Sequence, residues 1–177
     1  MTRLTYITSL LCILLILPSC GSSDDPTIDE TWKTTNEQAF AAFTYNSDYS
    51  RIMSASNMGY IYYAALKQGT GTSNIYYTDT VKVYYTGSLV TDSIFDTAEP
   101  PYKAPLEGTV GSFCDGFATA LQHMRAGDRW EIWLPSELGY GAAGQTASTG
   151  KYVIPPYSTL KFEVELISVK RKGEWKQ

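Results

Sequence analysis

An α+β fold, a curved antiparallel β-sheet wrapped around one short α-helix, is what this sequence predicts. Several segments in the second half alternate apolar and polar residues over strand lengths. One segment in their midst carries a helical apolar stripe instead. Composition agrees, because aromatic residues make up 14% of the chain, fourteen Tyr among them, and Tyr and Phe favour strands. With 177 residues, 44% of them hydrophobic and 18% charged, the chain suits one globular domain plus a short extension.

Residues 1–19 read as an export signal and not as part of the fold. Arg3 supplies a positive start, and the apolar run Leu10 to Leu17 is too short to span a bilayer as a mature helix. The run ends in Leu-Pro-Ser-Cys, with Cys20 followed by Gly-Ser-Ser-Asp-Asp. This resembles a bacterial lipobox, which implies a diacylglyceryl group on Cys20 and cleavage before it. Ordinary secretory cleavage nearby is the competing reading. Residues 20–59 form a tether and an N-terminal helical segment. The tether is short, polar and acidic. Ile28, Trp32, Ala39, Phe40 and Phe43 then fall near helical spacing. That stripe is too short for an independent coiled coil, so it is expected to dock on its own chain, and a monomer is expected. The stretch from Tyr45 to Gly59 reads as irregular, with room for a further helical turn.

From Tyr60 to Lys170 the character is β. A tyrosine-rich strand leads into a Gly-rich turn. In Thr80–Gly87, Val81, Val83 and Tyr85 face one way, and Lys82 and Tyr84 the other. Phe117, Ala120, Leu121 and Met124 make the helical stripe, about two turns long, with Gly127 placed as its C-terminal stop. Trp130, Ile132 and Leu134 share one face of a strand that Pro135 ends. Leu160, Phe162, Val164 and Leu166 point inward along the last strand, with Lys161, Glu163 and Glu165 outward.

Several function classes are disfavoured. A net charge of −4 argues against a nucleic-acid binder. Lys170, Arg171, Lys172 and Lys176 read as a solvated basic tail, assigned to 171–177 beyond the domain. Once Cys12 leaves with the signal and Cys20 carries lipid, only Cys114 remains as a thiol. One thiol with one His makes neither an internal disulfide nor a metal centre. A Cys114–His123 nucleophilic pair lacks a third, orienting group. No cofactor and no metal are expected.

Five motifs then follow in order. They are V-Y-Y-T-G (Val83 to Gly87), F-D (Phe95, Asp96) and D-G-F-A-x-A-L-x-x-M-x-x-G-D (Asp115 to Asp128). L-G-Y-G (Leu138 to Gly141) and I-P-P-x-S-T-L-x-F-E-V-E-L (Ile154 to Leu166) complete the series. Together they resemble the FKBP-type peptidyl-prolyl cis-trans isomerases over 60–170. The resemblance implies a proline-binding cavity. Tyr85, Phe95, Asp96, Tyr140 and Phe162 are its expected catalytic residues. Phe113, Cys114, Phe117 and Ile154 are its expected substrate-binding residues. Periodicity alone would have placed Tyr85, Phe117 and Phe162 in the core. The chain departs from the family in five places. Phe117 stands where Trp is most frequent, and Cys114 where Ile is usual. Ala104 stands near the place of an aromatic, and the Ala142–Val153 loop is lengthened. Asp92 replaces a turn glycine in the hairpin and tolerates left-handed geometry. His123 reads as an exposed helix residue, Trp130 and Trp133 as packing, and Gly87 as serving the backbone beside Tyr85.

The resemblance implies proline-containing polypeptides as partners, macrolide ligands of the family, and a membrane reached through lipid on Cys20. No nucleic acid is expected. The leading reading is an isomerase assisting the folding of exported proteins from the cell envelope, on the outer-membrane, periplasmic or surface side. A catalytically weak FKBP-like peptide-binding or chaperone lipoprotein is the alternative. A structural or adhesive surface lipoprotein is a third class.

Overall fold

Seven antiparallel strands form one sheet, and each strand has a visible cause in the chain. The structure, a computed structural model, describes residues 29–71, 73–101 and 103–173. The export signal, Cys20, the tether, Ile28 and Lys176 lie outside those residues. The chain begins with α1 (Glu30–Ala41), capped by Asp29, whose Oδ1 accepts from Trp32 N at 3.0 Å. A 3-10 turn, Ala42–Tyr45, continues it. The strands are β1 (Ser50–Met53), β2 (Tyr60–Lys67), β3 (Thr80–Leu89), β4 (Ile94–Ala98), β5 (Leu106–Thr109), β6 (Arg129–Leu134) and β9 (Leu160–Lys170). They lie in the order β1-β2-β6-β9-β3-β4. β5 pairs with the first half of β3, beside β4 on the second half. A small hairpin of β7 (Gln145–Thr146) and β8 (Tyr152–Ile154) stands apart.

The period-2 pattern decides which face is buried. Leu160, Phe162, Val164 and Leu166 of β9 and Ile132 and Leu134 of β6 are nearly inaccessible. Against them packs α2 (Asp115–His123), with Phe117, Ala120 and Leu121 buried, as is Met124 just beyond it. Gly116 permits that approach, since a Cβ there would lie 2.7 Å from Leu134 Cδ2. Bulges between Ala65 and Lys67, Lys82 and Val83, and Gly87 and Ser88 bend the strands.

The opposite face of the sheet is covered as well. Tyr62 and Trp133 are register partners, and their strand neighbours Ile61 and Ile132 face the core. Phe40 lies 5.1 Å from Tyr62, and Phe43 lies 4.7 Å from Trp133, centroid to centroid. The helical stripe therefore docks in cis, on the outer face of β2 and β6. Asn36, fully buried, completes the contact. Its Oδ1 accepts from Thr159 N at 2.8 Å, and its backbone oxygen accepts from Thr159 Oγ1 at 2.9 Å.

Four details differ from the sequence expectation. First, Ser50–Met53 is an edge strand, not an irregular or helical stretch. It is held by backbone pairing to Tyr60–Tyr63 and shows no burial alternation of its own. Second, α2 stops at His123, four residues before Gly127. The buried Asp128 carboxylate accepts from Arg125 N and Gly69 N, both at 2.6 Å, and so closes a turn there. Gly127, at φ +95°, serves that turn and donates to Leu166 O at 2.7 Å. Third, the segment read as a lengthened loop, Ala142–Val153, holds strand pairing of its own in the β7–β8 hairpin. Fourth, the basic tail is not simply solvated. Arg171 pairs with buried Asp79 at 3.0 Å and donates to Asn74 O and Ser73 O.

Candidate active site

Five segments converge at one end of α2. β3 carries Tyr85 on its inner face. The chain reverses over Asp92, at φ +61°, where Asp92 N donates to Leu89 O at 2.9 Å. β4 then returns Phe95 and Asp96 alongside β3. In β9, Phe162 stands directly across from Gly87. The 3-10 turn Val110–Ser112 leads into Phe113, Cys114 and Phe117 at the start of α2. After Pro135 ends β6, a second 3-10 turn, Ser136–Leu138, delivers Gly139 and Tyr140.

These segments enclose a cavity of about 480 Å³. Eight of the nine expected pocket residues line it: Tyr85, Phe95, Asp96, Phe113, Cys114, Phe117, Tyr140 and Phe162. Ile154 does not. It lies in β8, 2% exposed, and packs in the hydrophobic core. Leu106, Ser112, Gly139 and Gln145 also line the cavity and were not expected. Gly139 sits inside the L-G-Y-G motif, so its signal was present. Leu106 and Gln145 lie in short strands and Ser112 in a 3-10 turn, where neither periodicity nor motif marks them. Ala104 is exposed and not in the lining, and Leu106 supplies the apolar wall on that side.

The cup is aromatic. Phe162 meets Phe117 at 5.1 Å and Phe95 at 5.5 Å, both nearly perpendicular, and Phe113 lies 5.1 Å from Phe117. Edge-to-face contacts of this kind are favoured by the ring quadrupoles. Gly87 makes the closure feasible. A Cβ there would fall 2.6 Å from Phe95 Cζ and 2.7 Å from Phe162 Cε1. Its role is thus to admit two rings, not only to serve the backbone beside Tyr85.

The polar groups stand around these rings. The Tyr85 hydroxyl donates to Asp96 Oδ2. Asp96 Oδ1 accepts from Thr97 N at 2.8 Å and faces Lys103 Nζ at 3.8 Å. Burial, then the Asp96 hydrogen bond, hold the Tyr85 phenol far above its ordinary range. Burial likewise pushes up the Tyr140 phenol and the Cys114 thiol. At neutral pH both phenols are therefore protonated donors, and Cys114 is a neutral thiol rather than a nucleophile. His123 is exposed at the far end of α2, about 13 Å along the axis from Cys114. The two form no dyad.

A family model described as FKBP-type peptidyl-prolyl cis-trans isomerase matches residues 71–167, more than half of the chain. The chain belongs to this family. Among FKBP-type relatives, it is 38% identical over 109 residues to the macrophage infectivity potentiator of Trypanosoma cruzi, covering 62% of this chain and 53% of that one. It is 42% identical over 92 residues to the FKBP-type 22 kDa peptidyl-prolyl cis-trans isomerase of Escherichia coli K12, covering 52% and 42%. The chain thus spans about half the length of these relatives. A similar fold is seen in the crystal structure of a peptidyl-prolyl cis-trans isomerase from Pseudomonas syringae pv. tomato. Its TM-score is 0.67 at 28% identity, covering 80% of this chain and 96% of that one. FkpA from Escherichia coli aligns with a TM-score of 0.65 at 27% identity, covering 80% and 60%.

Proposed function

We propose that this protein is a peptidyl-prolyl cis-trans isomerase acting on exported polypeptides. The observation that carries the proposal is the aromatic cup of Phe95, Phe113, Phe117 and Phe162, with protonated phenols beside it and no activated nucleophile within it. Rotation about an Xaa-Pro bond must break amide resonance, a barrier of roughly 20 kcal/mol. No bond to the substrate is made or broken, so neither nucleophile nor metal is needed. As the amide twists, its carbonyl oxygen loses negative charge. An apolar cup therefore disfavours the planar, more polar ground state relative to the twisted one. Only such a difference accelerates the step, at tenfold for each ~1.4 kcal/mol.

The side chains divide the work. The four Phe rings hold the pyrrolidine and exclude water. The Tyr85 proton is committed to Asp96, which leaves Tyr140 as the phenol to hydrogen-bond a substrate carbonyl. Asp96 has no proton to remove in this reaction, and it acts by holding Tyr85. A protease-coupled assay on a Leu-Pro peptide tests the reading. We expect catalysis well above the thermal rate. Phe162→Leu and Asp96→Asn should lower kcat/KM by about tenfold or more while the domain stays folded by circular dichroism. Rates equal to the uncatalysed background from folded protein would exclude the enzyme, and unchanged activity in both variants would relocate the site.

We further propose that the protein works from the cell envelope as a lipoprotein anchored through Cys20. The lipobox-like Leu-Pro-Ser-Cys supports this. So does a relative named outer membrane protein MIP, from Legionella longbeachae, 40% identical over 93 residues. Metabolic labelling with a fatty-acid analogue should mark the wild type and not Cys20→Ala. Labelling that persists in the variant would refute the anchor.

A further inference from the structure

A second concavity, of about 640 Å³, adjoins the aromatic cup. Thr109, Thr80 and Lys170 stand abreast in it, one each from β5, β3 and β9. Lys172 lines it as well. Tyr77 closes another side, its ring laid against Gly111, where any Cβ would come within 2.3 Å of ring carbon Cε1. Ser112 belongs to both cavities, and its hydroxyl donates to Thr109 O at 2.7 Å. The ridge from β5 to α2 is therefore a wall common to the cup and to this second cavity.

The lining chemistry is specific. Hydroxyl groups and a tyrosine ring suit the backbone and polar side chains of an extended polypeptide. Arg171 is committed to Asp79. Among the described residues, the ammonium groups of Lys170 and Lys172 are in no ion pair, and both side chains are exposed. On a chain of net charge −4 this is a local basic site. Tyr85 lines the cup from the inner face of β3, whereas Thr80 belongs to the outer face, so the route between the two cavities crosses the ridge at Ser112. Thr80 and Tyr85 are five residues apart on β3, so that route is at least roughly 17 Å long at strand rise, and an extended substrate needs at least about five residues to cover it.

We propose that this cavity binds an acidic segment of the polypeptide substrate, at least about five residues from the proline held in the cup. The proposal rests on the isomerase reading, and its test separates the two. Fluorescein-labelled peptides would share one central Leu-Pro and carry a Glu pair or a Gln pair at spacings of about five to eight residues to either side. Anisotropy titration at low salt measures their binding without requiring turnover. On one side of the proline, the Glu peptide should bind about three- to tenfold more tightly than its Gln counterpart. The double variant Lys170→Ala, Lys172→Ala should erase that preference while isomerising a Leu-Pro tetrapeptide as the wild type does. Equal Kd values for Glu and Gln peptides, or a preference that survives in the double variant, would overturn the proposal. A wild type that binds the Glu peptide selectively but does not turn over the tetrapeptide would uphold this site and overturn the isomerase reading.

Discussion

At Gly87 one missing carbon sets the depth of the cup. Phe95 and Phe162 occupy the space that a Cβ would need, and neither ring can retreat far. Phe162 is 4% exposed and packed edge-on to Phe117, while Phe95 is edge-on to Phe162. Gly87→Ala should therefore cost ~1–3 kcal/mol of stability through overpacking. It should also cost at least about tenfold in kcat/KM, since a displaced ring opens the apolar contact that catalysis needs. Urea denaturation and the isomerase assay would check the two parts. Tyr85 and Asp96 form the other residue-scale unit. Neither periodicity nor composition marks them, because each is an ordinary strand residue until β3 and β4 pair. The motifs Y-Y-T-G and F-D do mark them. Ile154 differs: it lies in a motif, yet it packs in the core and does not line the cavity, because the direction of a side chain is decided by the β7–β8 hairpin and not by the motif.

Among the elements, α1 was legible and its anchor was not. The spacing of Trp32, Ala39, Phe40 and Phe43 predicts an amphipathic helix, and those residues are the ones turned from solvent. The fully buried residue of the helix is Asn36, which an apolar count passes over. Its Oδ1 is the acceptor for Thr159 N. Asn36→Ala should leave that buried donor unsatisfied and destabilise the domain by ~1–3 kcal/mol, read as a lowered urea midpoint with unchanged m-value. An unchanged midpoint would mean that the Asn36 side chain contributes nothing to the docking of α1. β1 was missed for a related reason: it is four residues long at a sheet edge, and backbone pairing with β2 holds it where no side-chain pattern can advertise it. The end of α2 was misplaced because Asp128, not Gly127, closes the following turn.

For the whole molecule, the phenols set the alkaline limit. Burial and then the hydrogen bond to Glu131 push Tyr49 up to about 12, and Tyr85 and Tyr140 are raised by burial as well. Above the ordinary tyrosine value of about 10, the unfolded chain releases these protons while the folded protein keeps them. The folded state then binds more protons, so stability falls as pH rises. We expect a constant urea midpoint from pH 7 to about 8, a shallow decline from there as the unfolded chain releases the Cys114 proton that the folded protein keeps, and a steeper decline above about pH 10. Tyr49→Phe should reduce the slope of that decline, and an identical slope would assign the effect to other groups. By itself the sequence determined the α+β class, the inward residues of the long strands and the family, because period-2 burial and ordered motifs are local properties of the chain. Tertiary structure decided where α1 docks, which residues complete the cup and that a basic cavity shares a wall with it. Those features depend on segments far apart in sequence, whose contacts exist only once the strands have paired and the helices have packed.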